Sequence, residues 1–240
     1  MQRSNPRLIW LSLLLCLGAM LACGGVALWL GQDADWDLRN YHYYNPYAFL
    51  TGRFDFDILP AHVATFYNPL MHIPFYLLVT HAPPRAVGFI MGAVQGLNFA
   101  LVLGIAWHCL AVAAPLRRLA LAALLAALGL AGAMAVSELG TSYGDDLLSL
   151  FVLGALLILV TKVETLGQGP RAAAWGWAVF AGLIAGLATG LKQPMVVFAV
   201  GLCLAGFAVP GSFARRFQVA FLFGLGVLAG IATHDAFWLL

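Results

Sequence analysis

Residues 8–30 read LIWLSLLLCLGAMLACGGVALWL, twenty-three positions without a charged side chain. At about 1.5 Å per residue, a helix of this length crosses the hydrocarbon core of a bilayer. The run is too long for the apolar region of a signal peptide. Its MLACGG segment resembles a lipoprotein cleavage site, but the apolar run continues to Leu30, so the segment reads as an uncleaved first span. The rest of the chain agrees with a membrane setting. Of 240 residues, 62% are hydrophobic and 9% charged, with a mean hydropathy of +0.92. An ordinary soluble domain is about 25% charged, and a chain so poor in charge cannot cover itself for water. The net charge of +2 is small and scattered, which points to membrane lipid as a partner and not to nucleic acid.

Outward from the first span, long apolar runs recur at 86–113, 119–138, 146–161, 173–191, 194–210 and 218–236. By the criterion of about 20 residues per span, they predict an all-α, polytopic transmembrane bundle of about seven spans, a single membrane domain over 1–240. Segment 69–80, PLMHIPFYLLVT, is short and carries Pro74, which suits an interfacial helix better than a span. With the N-terminus in the cytoplasm, this count places Arg3, Arg7, Arg117, Arg118, Lys162, Arg171, Arg215 and Arg216 inside. Arg39, Arg53, Arg85 and Lys192 fall outside, a distribution that obeys the positive-inside rule. The same count puts Asp33, Asp35, Asp37, Asp55, Asp57, Glu138, Asp145, Asp146 and Asp235 on the non-cytoplasmic side, with only Glu164 inside. Acidic residues contribute little to orientation, so the asymmetry points to a polar working face. Glycines repeat every fourth residue at Gly88, Gly92 and Gly96 and again at Gly182, Gly186 and Gly190, a spacing that lets helices approach closely. Gln95 shares a face with Gly88 and Gly92 and should point at protein. Cys16, Cys23, Cys109 and Cys203 lie in apolar runs without CxxC or His/Cys spacing and read as buried free thiols.

Residues 31–85 form the one long connection, read as a large non-cytoplasmic loop. Tyr-Asn-Pro occurs in it twice, at 44–46 and 67–69. Asn as N-cap with Pro next predicts helices from Pro46 to about Thr51, closed by Gly52, and from Pro69 to about Val79. Ahead of the first lie Asp33, Asp35 and Asp37, alternating in DADWD. In extended backbone their side chains share a face, and mutual repulsion raises at least one pKa. Such a group can take a divalent cation, accept a proton from a hydroxyl, or hydrogen-bond a sugar; a solvated capping loop is the plainer reading. Trp36, Tyr41, Tyr43 and Tyr44 beside it suit stacking on a sugar, and an interfacial aromatic belt explains the rings almost as well. His42, His62, His72 and His81 lack the HxxxH spacing of a helix-borne metal site and read as singly placed polar residues. Asp145 and Asp146 start a span, where the helix dipole favours negative charge, so capping comes first and acceptor or metal binding second.

The first span, DADWDLRNYHYYNPYAFLTG, TFYNPLMHIPFYLL and the later GLATGLKQP together resemble the GT-C superfamily of membrane glycosyltransferases, in particular its bacterial, polyprenol-phosphate-sugar-dependent members. The resemblance covers roughly residues 8–200, and only the first loop and GLATGLKQP are distinctive. It implies inverting transfer of a sugar from a polyprenyl-phosphate donor to a hydroxyl of a glycan, lipid or protein acceptor. The reaction would take place at the outer face of a bacterial inner membrane. One first-loop aspartate would be the general base, Asp35 ahead of Asp37 and Asp33. Lys192 would hold the donor phosphate, its plainer reading being a snorkelling lysine at a helix end. Trp36, Tyr41, His42, Tyr44, Asp145 and Asp146 would contact substrate. No cofactor is required and a divalent metal is optional. Members of the superfamily are usually much longer, so the resemblance also implies a truncated or shortened chain. The rival readings are a transporter or flippase-like protein, which would place polar groups near the bilayer midplane, and a non-catalytic assembly subunit for lipid-linked glycans.

Overall fold

The computed structural model describes residues 5–54 and 56–238, so Arg3 and Asp55 lie outside the described residues. The described chain is helical, with no strand among the described residues. Its α-helices are α1 (Pro6–Leu30), α2 (Tyr44–Thr51), α3 (Ile73–His81), α4 (Pro84–Gln95), α5 (Asn98–Cys109), α6 (Pro115–Leu130), α7 (Ala133–Ser137), α8 (Asp145–Thr161), α9 (Val163–Gln168), α10 (Arg171–Leu191), α11 (Val196–Ala205) and α12 (Phe213–Trp238). Among the described residues, four stretches are long and apolar enough to cross a membrane: α1, the nearly continuous Pro84–Cys109 of α4 and α5, α10, and Phe213–Asp235 of α12. The other apolar runs are helical but shorter. The 119–138 run is divided between the 16-residue α6 and the short α7. The 146–161 run is the 17-residue α8. The 194–210 run forms a shorter apolar helix, Gln193–Ala208, in which the 10-residue α11 is flanked by 3₁₀ turns at Gln193–Met195 and Gly206–Ala208. Hydropathy registers apolar residues wherever they fall; it does not register where the backbone turns.

Helix boundaries follow local chemistry. Asn5 caps α1 by accepting the Arg7 N–H at 3.1 Å, with Pro6 in the first turn, and α1 ends where Gly31 takes a φ of +99°. Gly52 closes α2 in the left-handed conformation, as its sequence position predicts. Asn68 caps a 3₁₀ turn at Pro69–Met71 by accepting the Leu70 N–H at 2.9 Å, and α3 then starts afresh at Ile73. Asn45 departs from expectation. It lies inside α2, fully buried, and its amide donates to the Ala64 carbonyl at 2.8 Å, stapling the helix to the following loop.

The chain divides into two compact units. The first holds the chain through Leu103 together with Val112–Leu147. In it α1 packs along α4, and the glycine repeat makes the approach possible. A Cβ on Gly92 would lie 2.6 Å from the Ala27 Cβ, and one on Gly96 would lie 2.9 Å from the Met20 Cα. Trp10, Leu14 and Trp29 stand exposed on α1, as a lipid-facing span requires. The second unit holds Gly104–Ala111 and the chain from Leu148 onward. Its core lies along α10 and α12, where Ala178, Ala181, Ala185, Val219 and Phe223 are buried. A Cβ on Gly182 would run into the Phe223 carbonyl, and one on Gly186 into that of Val227. The cysteines are free, as read from the sequence, but Cys109 is exposed and the others half-buried, not fully buried.

Candidate active site

The polar groups of the first unit converge where the loop after α1 meets the loop 138–144. Asp33 and Asp35 face one another as alternation predicts; Asp37 does not share their arrangement. Asp35 acts as an N-cap: its Oδ1 accepts the Leu38 N–H at 2.8 Å, and a helical turn begins at Trp36. The backbone stops alternating there, and Asp37 turns toward the hydroxyl of Tyr41. Leu38–His42 continue as a π turn, the Tyr43 N–H reaching back to the Leu38 carbonyl at 3.4 Å.

Asp33 is held by a residue far away in the chain. Its Oδ2 accepts the Ser142 N–H at 2.8 Å and the Ser142 hydroxyl at 2.7 Å, and its Oδ1 accepts the Asp35 N–H at 3.2 Å. The loop carrying Ser142 is pinned in turn. Gln95, buried as expected, donates to the Glu138 carbonyl at 3.2 Å and accepts the Gly140 N–H at 2.7 Å. Gly140 and Gly144, on either side of Ser142, have φ of +78° and +81°. These left-handed turns let the loop double back onto α1, where a Cβ on Gly140 would lie 2.7 Å from that of Ala27.

The electrostatics separate the two carboxylates. Burial alone would raise Asp33, but the hydrogen bonds from Asp35 and Ser142 outweigh it and hold the group below the usual carboxylate range. Asp35 is pushed up to about 6, first by burial and then by its hydrogen bond to Asp33, in which it is the protonated partner. Its Oδ2 is buried and finds no N–H or hydroxyl donor. A carboxylic acid proton on that oxygen, donated to Asp33, would satisfy it and leave the two groups one proton between them. A carboxyl with a pKa near the working pH suits a general base.

Aromatic rings enclose this pair. His42, 2% exposed, places Nδ1 2.8 Å from the Ser142 hydroxyl and stacks on the equally buried His72 at a centroid distance of 4.0 Å. The two histidines form one buried stack, not the singly placed residues of the sequence reading. Tyr41 stands edge-on to His42 at 4.4 Å and to Tyr67 at 5.3 Å, and Trp36 flanks it at 6.5 Å with its own ring exposed. Tyr44 belongs elsewhere: its hydroxyl donates to Asp57 at 2.6 Å, in a cluster with Arg53. Burial and that bond push Tyr44 up to about 12, and Arg53 with Tyr44 holds Asp57 down at about 2. Asp145 and Asp146 occupy the first turn of α8, and the Asp146 carbonyl accepts the Asn98 amide at 2.7 Å. Lys192 caps the C-terminal end of α10, within the second unit.

A cavity of about 370 Å³ opens beside Asp33. Gln32 and Arg85 join Asp33 as its polar lining, and Leu28, Phe75 and Val79 form part of its apolar wall. Among the described residues no three His, Cys, Asp or Glu side chains group as metal ligands. A divalent ion at the Asp33–Asp35 pair would draw the rest of its shell from substrate or water.

The residues that sequence reasoning passes over are Ser142, Arg85 and the partnership of His42 with His72. Ser142 had a signal: Gly140–Gly144 reads GTSYG, the G-x-S-x-G spacing of a nucleophile elbow. That motif needs a preceding strand, whereas α7 precedes it here. Ser142 is also 2% exposed, with its proton committed to Asp33. The spacing serves a tight turn that delivers a hydrogen-bond donor. The chain matches no protein-family model, no curated protein and no solved structure, so the site's own chemistry carries the functional reading.

Proposed function

We propose that this protein is a membrane glycosyltransferase, moving a sugar from a polyprenyl-phosphate donor to an acceptor hydroxyl at the non-cytoplasmic face of a bacterial inner membrane. The observation that carries the reading is the Asp33–Asp35 carboxyl pair with divided proton affinities, whose Asp33 lines a largely apolar cavity that Arg85 also lines. Asp35, ionised, takes the proton of the acceptor hydroxyl. The hydroxyl oxygen then bonds to the anomeric carbon, and the electrons of the breaking carbon–oxygen bond leave with the lipid phosphate, inverting the centre. Asp33, anchored by Ser142, keeps the proton affinity of Asp35 high enough for it to act as a base. Arg85 is placed to meet an anionic headgroup whose isoprenoid lies along Leu28, Phe75 and Val79. Lys192, in the second unit, is the cation that the resemblance assigns to the donor phosphate, and Trp36 in the first offers an exposed ring to a sugar face.

The test is a transfer assay in membranes supplied with a panel of polyprenyl-phosphate sugars, wild type against Asp35→Asn at matched protein level. Donor consumption by the wild type, lost in the variant, is the expected result. A wild type that consumes no donor in the panel, or a variant of equal rate, would overturn the proposal.

A further inference from the structure

We propose that Ser142, seated by His42, is a positioning residue that fixes which member of the Asp33–Asp35 pair carries the shared proton. The geometry decides the direction of each bond. A serine hydroxyl has one hydrogen, and Ser142 spends it on Asp33 Oδ2 at 2.7 Å. The contact of 2.8 Å between the same oxygen and His42 Nδ1 therefore needs its hydrogen from the imidazole, so His42 is protonated on Nδ1. The chain runs one way, from His42 Nδ1–H to Ser142 Oγ–H to Asp33, with the Ser142 N–H as a second donor to the same carboxylate oxygen. Asp33 accepts from the Asp35 N–H and from both donors of Ser142, whereas Asp35 accepts the Leu38 N–H at Oδ1 and has no donor at Oδ2. Hydrogen bonds to the ionised form favour that form, so the negative charge settles on Asp33 and the proton on Asp35. His72 stacked on His42, with Tyr41 edge-on, holds the imidazole in the orientation the bond requires.

The titratable groups around the pair are Asp37 just before the π turn, Tyr41 and His42 within it, Tyr143 and Glu138 from the 138–144 loop, and Arg85, which lines the cavity beside Asp33. Of the three donors to Asp33, two are backbone N–H groups and only the Ser142 hydroxyl belongs to a side chain; it lies 109 positions away, so it can be removed without altering the backbone around Asp33. That Asp35 is the base rests on the transferase reading; the placement of the proton does not. The experiment therefore reads the proton itself.

Purified protein in lipid nanodiscs, labelled with ¹³C-aspartate, is titrated by infrared difference spectroscopy. The wild type should show a carboxyl step at about 6 that Asp35→Asn abolishes, and a second step below the ordinary carboxylate range. Ser142→Ala should raise the two midpoints together by about half a pH unit or more, chiefly in the lower step, because an anion has lost a donor. Ser142→Thr, which keeps the hydroxyl, should restore them, and Ser142→Cys, a weaker donor, should fall between should the alanine variant not fold. His42→Phe should move them in the same direction by less. Coincident wild-type and Ser142→Ala titrations, or a threonine variant that behaves like alanine, would overturn the role of Ser142. A His42→Phe titration identical to wild type would overturn that of His42. Loss of transfer activity with normal titrations bears on the function alone.

Discussion

In the unit built on α1 and α4, the contacts that define the candidate site join side chains to distant loops; in the unit built on α10 and α12, backbones press directly on one another. Asp33 depends on Ser142, and Gln95 bridges Glu138 and Gly140. Gly182 and Gly186, by contrast, depend on nothing but the absence of a side chain, so that the carbonyls of Phe223 and Val227 can approach. The difference reflects what each region must exclude. Between two apolar helices there is no polar group to satisfy beyond the helical ladder, so stability comes from close contact. Around two carboxylates, every donor placed or withheld changes which group is ionised.

The comparison breaks most sharply at Gly186. Gly186→Val drives a branched side chain into the Val227 carbonyl and should destabilise the protein by about 3 kcal/mol or more, read as a collapse of cooperative thermal unfolding in detergent. Gly201→Ala in α11, where nothing lies within 4 Å, should leave the transition in place. In the first unit, Asp35→Asn should leave unfolding nearly unchanged while lowering transfer by about 10²–10⁴-fold. The wild-type rate should rise with pH through about 6 and level off above it, because the base acts only when ionised. A flat profile across that range would separate Asp35 from the proton transfer.

Smaller effects sharpen the contrast. Arg215 is the second unit's own polar anchor, donating to the carbonyls of Leu166 at 2.7 Å and Gly169 at 2.8 Å at the end of α9. Arg215→Ala should lower stability by about 1–2 kcal/mol in the same unfolding assay and leave the rate per folded molecule unchanged. The smallest effect belongs to Arg53→Gln. The Arg53–Asp57 pair has good geometry at 2.8 Å, but it is solvent-exposed and screened, so neither unfolding nor rate should move measurably at physiological salt.

Much of the first loop was legible because its signals are local. Gly52 closes α2, Asn68 caps the turn after it, and Gln95 points at protein, each from neighbours within a turn or two. The apolar run at 173–191 matches α10, Arg171–Leu191, to within two residues. What escaped was either geometric or remote. Alternation placed Asp37 with its neighbours, but the cap formed by Asp35 ended the extended backbone two residues early. Asn45 carried an N-cap signature and was drawn instead into the loop that folds over α2. The apolar run at 194–210 carried no sign of the 3₁₀ turns that flank the 10-residue α11. Ser142 lies 109 positions from Asp33, and no pattern in either segment names the other.

That separation has a consequence for how the protein is made. Translation releases the aspartates just after the first span, while the serine that anchors one of them follows only after α2 to α7 have been synthesised. Until then the nascent chain exposes two neighbouring acids with no donor from the far loop. The Asp33–Ser142 contact can form only once the 138–144 loop has been made, with Gln95 of α4 bound to the Glu138 carbonyl and the Gly140 N–H. A bond that spans 109 positions thus ties the beginning of the first unit to its end.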